Sequence, residues 1–251
     1  MKPCKFKIIS FQKDSEKIVD KIKEKLKNYD FIYEENTPDL IISLGGDGTF
    51  LSSLKENEYK GYHLSINSGH LGFFSDYEIN EIDKAIDDII NKHPFIEKSP
   101  LFKCNFDNKE EYFLTDLTLQ SLKTISIKLY IDNTEILYTK ASGIVISTAL
   151  GSTGYNLSLN SPVCFYNRPI LIYSLIAPVN NKMFSHTIEK GILDSKMKIR
   201  LIADGNFSLL LDGKIIPHNK TLKLDVAIST KQIEMVHFKK VTSLSRIKKH
   251  I

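Results

Sequence analysis

The sequence predicts an α/β domain followed by a β-rich domain. Up to about residue 95, short apolar strands alternate with segments of helical spacing, as in an open sheet of parallel strands. From Pro100 onward helical spacing almost disappears, and β-branched, alternating segments take its place. We therefore predict a Rossmann-like α/β domain over residues 1–95 and a β-rich, β-sandwich-like domain over residues 96–235. The terminal segment 236–251 is expected to pack back on the first domain, and the active site to lie in the crevice between the two domains.

The α/β domain is predicted to contain four strands and three helices. The strands have the sequences KFKIIS, DFIYE, DLIISL and YHLSIN. Apolar residues at helical spacing mark two of the helices: Ile18, Val19, Ile22 and Leu26 in the first, and Ile82, Ile86, Ile89 and Ile90 in the last. We expect Asp14 or Ser15 to cap the first and Asn80 the last, because short polar side chains satisfy free amides at a helix start. The middle helix is predicted to begin at TFLSSLKENE, directly after a glycine-rich turn.

The β-rich domain is predicted to contain eight strands. Each is a segment rich in β-branched or alternating apolar residues. The segments are EEYFLTDLTLQS, KTISIKLYID, TEILYT, SGIVIST, PILIYSLIA, KMKIRLIA, FSLLLDG and TLKLDVAIS.

Composition argues against a membrane protein. The chain has 251 residues, of which 42% are hydrophobic and 25% charged, enough for a sizeable core. The longest apolar stretch, Ile170–Val179, contains polar residues and a proline and is shorter than a membrane span. The N-terminal MKPCKFKIIS has lysines in its apolar part and no cleavage site, so we interpret it as a strand and not as a signal peptide. We expect a cytoplasmic protein without a membrane partner.

Charge and cysteine usage narrow the range of ligands. The formal net charge of +4 favours small anionic molecules. The densest basic run is predicted to be the solvated face of a terminal helix, and it lacks the interleaved aromatic residues of a nucleic-acid-binding segment. That run contains Lys239, Lys240, Arg246, Lys248, Lys249 and His250. Cys4, Cys104 and Cys164 lie far apart without CxxC spacing, so we expect free thiols that bind no metal.

The segment IISLGGDGTFL combines the end of a strand with a turn that holds one acid among three glycines. Gly45, Gly46 and Gly48 can turn backbone N–H groups towards a phosphate, and the following helix start adds partial positive charge. Asp47 would repel a phosphate unless it holds Mg²⁺ between phosphates or accepts a proton from an attacking hydroxyl. The alternative is a tight turn in which the aspartate bonds to nearby backbone.

A second candidate site is STALGSTGYNLS, which packs glycines and hydroxyls directly behind an apolar strand. Ser152, Thr153, Tyr155 and Ser158 supply neutral donors suited to sugar hydroxyls and an adenine edge. The alternative is a polar hairpin connection. The sequence contains no GxxxxGK[ST], GxGxxG, HExxH or GxSxG motif, and His70 in SGHLGFF is expected to be positional.

Taken together, GGDGTFL, INSGHLGF and STALGSTGY resemble the NAD kinase family in order and separation, over nearly the whole chain. IAPVNN, at 176–181, is similar to the short bacterial members. The resemblance implies that the γ-phosphoryl group of ATP is transferred to the adenosine 2′-hydroxyl of NAD. It implies Mg²⁺ or another divalent cation, nucleotides as partners, and a homotetramer or dimer.

The resemblance also implies roles for individual residues. Asp47 would be the catalytic carboxylate, and no protein metal ligand is expected beyond its possible contact with the Mg²⁺ carried by ATP. Phe73 would lie near the adenine, and Gly45, Gly46, Gly48 and Thr49 would form the phosphate loop. The other predicted nucleotide-binding residues are Asn67, Thr115, Asp116, Ser142, Ser152, Thr153, Gly154, Tyr155, Ser158 and Ala177.

Several positions depart from the family pattern. Thr115 and Asp116 stand where the family usually has Asn-Glu, and Ser142 stands where it usually has an acid. The family's Thr-Pro-Thr has become Thr-Ala-Leu at 148–150, and Gly154 replaces an alanine. The departures at Thr115 and Ser142 keep open the alternative of a nucleotide-binding sensor derived from an NAD kinase. A second alternative, a lipid or small-alcohol kinase, stays open because such kinases share the GGDGT loop.

Overall fold

The computed structural model describes residues 5–12, 15–69, 72–184, 188–218, 220–240 and 242–250. Asp14, His70 and Cys4, for which the sequence suggested roles, lie outside these ranges. The chain separates into two compact units, one containing residues up to Ser99 and from Lys231, the other Pro100–Thr230. No helix within the described ranges is long and apolar enough to cross a membrane.

The first unit contains a parallel sheet with helices on both faces. Its elements up to residue 91 are β1 Lys5–Ser10, α1 Glu16–Lys27, β2 Ile32–Tyr33, β3 Leu40–Leu44, α2 Asp47–Glu56, β4 Tyr62–Asn67, β5 Tyr77–Glu78, a 3₁₀ turn Ile79–Glu81 and α3 Ile82–Asn91. The strand order is β2-β1-β3-β4-β5, and all these pairs are parallel. Strand β3 is buried along its whole length, as expected for a central strand covered on both sides. The predicted α/β domain is confirmed.

The predicted helix starts are only partly right. Ser15 is the N-cap residue of α1, but its hydroxyl donates to the Gln12 carbonyl (2.8 Å) and does not cap the helix. Asn80 lies inside the 3₁₀ turn, where Glu78 forms the capping box instead. Helix α2 begins at Asp47 and not at Thr49, because an acid in the first turn is stabilised by the partial positive charge of the helix start.

In the part that the structure describes, the second unit is all β apart from one 3₁₀ turn and one short helix. Its elements, with the flanking strands, are β6 Phe95–Phe106, β7 Lys109–Phe113, β8 Asp116–Ile131, β9 Thr134–Thr148, a 3₁₀ turn Leu150–Thr153, α4 Tyr155–Ser158, β10 Ile170–Pro178, β11 Lys190–Asp194, β12 Ile199–Asp204, β13 Phe207–Leu211, β14 Lys214–His218 and β15 Leu222–His237. The strand pairs within this unit are antiparallel, and their buried side chains form one hydrophobic core. The predicted β-rich domain is also confirmed.

Strands β8 and β9 are each one long strand where the sequence predicted two. The pairing of β8 with β9 is irregular between Gln120 and Ile125, and this irregularity hides the continuity in the sequence pattern. Before it, β8 pairs with β13; after it, β8 pairs with β12. Strands β6, β11 and β14 were not predicted.

The C-terminal segment returns to the first unit as the end of β15 and helix α5 Ser243–His250. The predicted solvated basic face is wrong for Arg246, which is only 5% exposed. Its guanidinium contacts the Glu97 carboxylate, with Nη2 2.6 Å from Oε2. His237 lies between two carboxylates, with Nδ1 2.8 Å from Asp76 Oδ1 and Nε2 3.2 Å from Glu97 Oε2. We call Asp76, Glu97, His237 and Arg246 the terminal quartet.

The terminal quartet balances one buried and one half-buried acid against two cations: the side chain of Asp76 is 1% exposed and that of Glu97 is 24% exposed. Burial alone would raise the pKa of Glu97, but the hydrogen bond from His237 and the charge of Arg246 outweigh it and lower that pKa to about 2. Burial likewise opposes charge on His237, but its bonds to Asp76 and Glu97 prevail and raise its pKa. His237 therefore stays protonated to higher pH than an ordinary histidine, and each charge in the quartet has a partner.

We predict that Glu97→Gln lowers the free energy of unfolding by about 3 kcal/mol at neutral pH. The pKa of Glu97 lies at about 2 in the folded protein against an ordinary 4.5, and each pKa unit corresponds to about 1.4 kcal/mol. A lowered pKa contributes stability above its unfolded value, and this stability is lost as the pH falls towards the folded value. Urea unfolding should therefore show a deficit at neutral pH that shrinks between about pH 4.5 and pH 2.

The matched control is Glu58→Gln, which removes an exposed ion pair with Lys60. This variant should unfold like the wild type, since exposed pairs contribute little. A Glu97→Gln deficit that is independent of pH would contradict the electrostatic account and indicate a packing defect.

Candidate active site

The glycine-acid turn directly follows β3 and opens helix α2. A Cβ atom added at Gly45 would lie 2.2 Å from Thr49 Oγ1, so this glycine is required by the close approach of Thr49. In contrast, an added Cβ at Gly46 or Gly48 would have none of the described residues within 4 Å, apart from its neighbours in the chain and in the helix itself. The backbone at Gly46 and Gly48 is thus open to a ligand, beside the positive end of α2.

The Asp47 carboxylate is held by the main chain of a distant segment. Phe73 N–H donates to Oδ1 (2.9 Å) and Oδ2 (3.1 Å), and Phe74 N–H donates to Oδ1 (3.2 Å). These donors are 26 and 27 residues away in sequence, so the aspartate is not forming the local turn bond that was the alternative. Oδ2 accepts one of these bonds and Oδ1 two, which leaves Oδ2 with the freer lone pair.

Asn67 shapes the segment that brings those amides to Asp47. Its side chain is fully buried at the end of β4, where Nδ2 donates to Glu78 Oε2 (2.7 Å) and Oδ1 accepts from Gly69 N–H (3.1 Å). The Phe73 ring packs edge-on against Phe74, with centroids 5.3 Å apart. Asn67 therefore positions the turn from inside, while the predicted contact of Phe73 with adenine stays a prediction.

In the second unit, Thr115 and Asp116 are arranged by a residue that the sequence analysis missed. The Asp212 carboxylate accepts from Leu114 N–H (2.9 Å), Thr115 N–H (2.7 Å) and the Thr115 hydroxyl (2.7 Å). The N–H group and the hydroxyl of Thr115 thus both bind a carboxylate of the protein itself. Asp116 is half-buried and so remains partly accessible. The signal available in the sequence was the Asp-Gly pair after FSLLL, which is also typical of a simple hairpin turn.

The hydroxyl-rich loop 147–158 has an inner and an outer side. Ser152 is fully buried; its hydroxyl donates to the Ala149 carbonyl (2.7 Å) and accepts from Cys164 N–H (3.0 Å), so it holds the loop together. Gly151 is also fixed, because an added Cβ would lie 2.1 Å from the Thr115 carbonyl oxygen. Asn156, another residue missed from the sequence, is fully buried and accepts from the Ser174 hydroxyl (3.1 Å).

The outer side of this loop carries the polar groups that remain accessible. Thr153 and Tyr155 are half-buried, and Gly154 and Ser158 are exposed. Gln120 Nε2 donates to the Tyr155 hydroxyl (3.3 Å), and the Ser158 hydroxyl donates to the Tyr155 carbonyl (2.7 Å). Thr153 and Tyr155 are therefore the loop side chains best placed to meet a ligand.

Ser142 and Ala177 come together through the register of β9 and β10. Gly143 pairs with Ile176 and Ala141 with Pro178, so the two candidates occupy neighbouring positions on adjacent strands. Ala177 has φ of +44°, a conformation that a residue with a side chain seldom adopts. Such local strain is often found at ligand sites.

No group of three or more His, Cys, Asp or Glu side chains within the described ranges is arranged to hold a metal ion.

Two family models match the chain. One is described as the ATP-NAD kinase N-terminal domain and matches residues 5–94; the other, the ATP-NAD kinase C-terminal domain, matches residues 111–238. The NAD kinase of Caldicellulosiruptor saccharolyticus is 31% identical over 247 residues, which cover 92% of this chain and 92% of the relative. That of Ureaplasma parvum is 30% identical over 244 residues, covering 93% of this chain and 87% of the relative.

The fold is shared with a solved structure. An NAD kinase from Archaeoglobus fulgidus, crystallised in complex with ATP, superimposes with a TM-score of 0.80 and 22% identity, covering 98% of both chains. At this identity the similarity concerns the fold.

We predict that Asp212→Asn lowers the free energy of unfolding by about 1–3 kcal/mol and speeds amide exchange at Leu114 and Thr115. Asparagine keeps an acceptor at the Oδ1 position for Leu114 and Thr115, but it loses the negative charge that strengthens these bonds, and its NH₂ group would face the Leu114 N–H now bound to Oδ2. Urea unfolding and hydrogen exchange measure both effects.

Asp132→Asn is the matched control. Asp132 also sits in a hairpin turn, with φ of +48° against +47° for Asp212, but it accepts from only one backbone N–H, that of Lys198 (3.0 Å). An asparagine oxygen can replace that single acceptor. Equal effects of the two substitutions would show that the Asp212 bonds are not special.

Proposed function

This chain belongs to the ATP-NAD kinase family, and we propose on that premise that it transfers the γ-phosphoryl group of ATP to the adenosine 2′-hydroxyl of NAD, giving NADP and ADP. The observation that carries the proposal is the Asp47 carboxylate, held by two main-chain amides beside a glycine turn open to a phosphate. The test is incubation of the pure protein with Mg-ATP and NAD, with NADP read by an NADP-specific dehydrogenase.

The chemistry requires little more than positioning and one proton acceptor. Asp47 Oδ2 takes the proton of the 2′-hydroxyl as its oxygen attacks the γ-phosphorus. The new O–P bond forms while the bond from the γ-phosphorus to the bridging oxygen of ADP breaks. The N–H groups of Gly46 and Gly48 and the start of α2 face the negative charge of the phosphates.

We propose that Mg²⁺, or another divalent cation, enters as part of the Mg-ATP substrate. It screens the phosphate charge that Asp47 would otherwise repel. The Asp47 carboxylate suits contact with this ion, because among the described residues Oδ2 accepts a single backbone hydrogen bond and keeps a lone pair for the ion or for the hydroxyl proton.

On the NAD side, accessibility separates contact residues from positioning residues. We assign ligand contact to Thr153, Tyr155, Asp116, Ser142 and Ala177, which are exposed or half-buried. Phe73, Gly154 and Ser158 are kept as further contacts. Asn67, Thr115 and Ser152 are assigned to positioning, since their polar groups are buried and bonded internally.

A homo-oligomer, dimer or tetramer, is supported by the apolar surface near β11. Within the described ranges β11 pairs only with β10, so its other edge is open. Ile188 and Ile192 are each 60% exposed and Met183 is 77% exposed. A second copy of the chain would cover this surface.

We propose that the protein acts in the cytoplasm and that its partners are small nucleotides and not nucleic acid.

The two alternatives give different results in the same assay. A sensor would bind NAD without forming NADP. A lipid or small-alcohol kinase would consume ATP with its own acceptor but not with NAD. Formation of NADP in proportion to ATP consumed excludes both.

We predict that Asp47→Asn lowers kcat by about 10²-fold or more, with KM values changed much less. The amide oxygen can keep the bonds from Phe73 and Phe74, so the fold and nucleotide binding should persist. Ser52→Ala, on the exposed side of α2, is the control and should keep full activity. Near-normal turnover of Asp47→Asn would remove this residue from the mechanism.

We predict that Ser142→Asp lowers KM for NAD by roughly tenfold, with a smaller change in kcat. A carboxylate accepts stronger hydrogen bonds than a hydroxyl, by about 1–1.5 kcal/mol. The control, Thr134→Asp, adds the same charge at the exposed start of β9 and should leave KM unchanged. An unchanged or higher KM in a well-folded Ser142→Asp variant would withdraw Ser142 from the NAD site.

A further inference from the structure

The segment that holds Asp47 is itself anchored by the terminal quartet. Phe73 and Phe74 donate their N–H groups to the Asp47 carboxylate. Two residues after Phe74, the Asp76 side chain is 1% exposed and binds His237 Nδ1 (2.8 Å) and Phe238 N–H (3.1 Å). The same short segment therefore connects the proposed proton acceptor with the C-terminal part of the chain.

Two cations from the C-terminal part also contact this segment. Lys239 Nζ donates to the Asp76 carbonyl (2.8 Å) and lies 4.3 Å from the centroid of the Tyr77 ring. The Arg246 guanidinium carbon lies 5.9 Å from the centroid of the Phe73 ring. Phe73, Lys239 and Arg246 line a cavity of about 310 Å³, together with Glu78 and Glu81. Helix α5 thus reaches the residue whose amide binds both oxygens of Asp47.

We propose that Arg246 and His237 are positioning residues for phosphoryl transfer: they hold the segment 73–76 where its amides orient the Asp47 carboxylate. This inference rests on the proposed role of Asp47. Neither residue contacts a reacting atom. They act through their contacts with Asp76 and Phe73, which fix the backbone that orients the Asp47 carboxylate. A shift of about 1 Å in a reacting group is enough to lower the rate by about 10²-fold.

The charge balance of the quartet makes this anchor rigid. Arg246 contacts both oxygens of Glu97, with Nη1 3.3 Å from Oε1 and Nη2 2.6 Å from Oε2. Because Glu97 also binds His237, the position of α5 is linked through Glu97 and His237 to Asp76. Loss of the Arg246 charge leaves an excess of negative charge in a mostly buried cluster, and a shift of the Asp76 carboxylate that relieves this excess would carry the segment 73–76 with it.

The experiment compares Arg246→Met and Arg246→Lys with the wild type in the full chain. Methionine removes the charge, while lysine keeps it but loses the two-oxygen contact with Glu97. We expect kcat to fall about tenfold in Arg246→Met and less in Arg246→Lys, with both KM values within about threefold of the wild type. Lys248→Met, which removes an exposed charge from the same helix, is the control and should keep wild-type kcat.

Amide exchange provides the second readout and needs no activity. Phe73 and Phe74 should exchange faster in the order Arg246→Met, Arg246→Lys, wild type, while the amides of β3 exchange alike in all three. Wild-type kcat in Arg246→Met, or a loss of kcat with unchanged exchange at Phe73 and Phe74, would overturn the inference. If Arg246→Met does not fold, Arg246→Lys decides by the same two readouts against Lys248→Met.

The two proposals can fail separately. If the wild type forms no NADP, the proposed function fails, but exchange at Phe73 and Phe74 still tests the link to α5. If NADP is formed and Arg246→Lys matches the wild type in both readouts, the positioning role alone is withdrawn.

Discussion

The hydrogen bonds from the Phe73 and Phe74 amides to the Asp47 carboxylate are the interaction on which the candidate site depends. They join the turn after β3 to the segment after β4, and these strands are parallel neighbours. The carboxyl ends of parallel neighbours lie at the same edge of a sheet, so two separate turns meet there. Because the donors are main-chain groups, the orientation of the acid is set by the backbone and not by the phenylalanine side chains.

In the second unit, too, a carboxylate accepts hydrogen bonds from main-chain N–H groups of a distant segment. Asp212 follows β13 and gathers the amides of Leu114 and Thr115, more than 90 residues earlier in the chain. In each unit one carboxylate fixes a distant turn by accepting its N–H groups. Asp212 also accepts a side-chain hydroxyl, whereas Asp47, among the described residues, accepts main-chain N–H groups alone. Two aspartates with similar partners therefore differ in the hydrogen-bonding capacity that remains to them, and for this reason we propose a chemical role for Asp47 only.

The features that the sequence predicted are those with a local signal. The turn at Gly45–Gly48 and the parallel strands beside it follow from glycine content and apolar periodicity. Asp212 and Asn156 were not found, because a polar residue that bonds inside the protein looks like any surface polar residue until its partners are known. The burial of Arg246 was missed for the same reason, since its partner Glu97 lies 149 residues away. The sequence pattern also divided the long strands β8 and β9 in two; in β8 the division falls where polar residues interrupt the apolar alternation.

Close packing couples the residue types that positions 45 and 49 can hold. The space that a side chain at position 45 would need is already filled by the branched side chain of Thr49, in the first turn of α2. A smaller residue at 49 would remove that obstacle, but the backbone at Gly45, with φ of +157°, would still be one that residues with a side chain rarely adopt. Among descendants of the chain the glycine should therefore persist even where Thr49 has been replaced, so that the order in which substitutions arrive narrows what this turn can become.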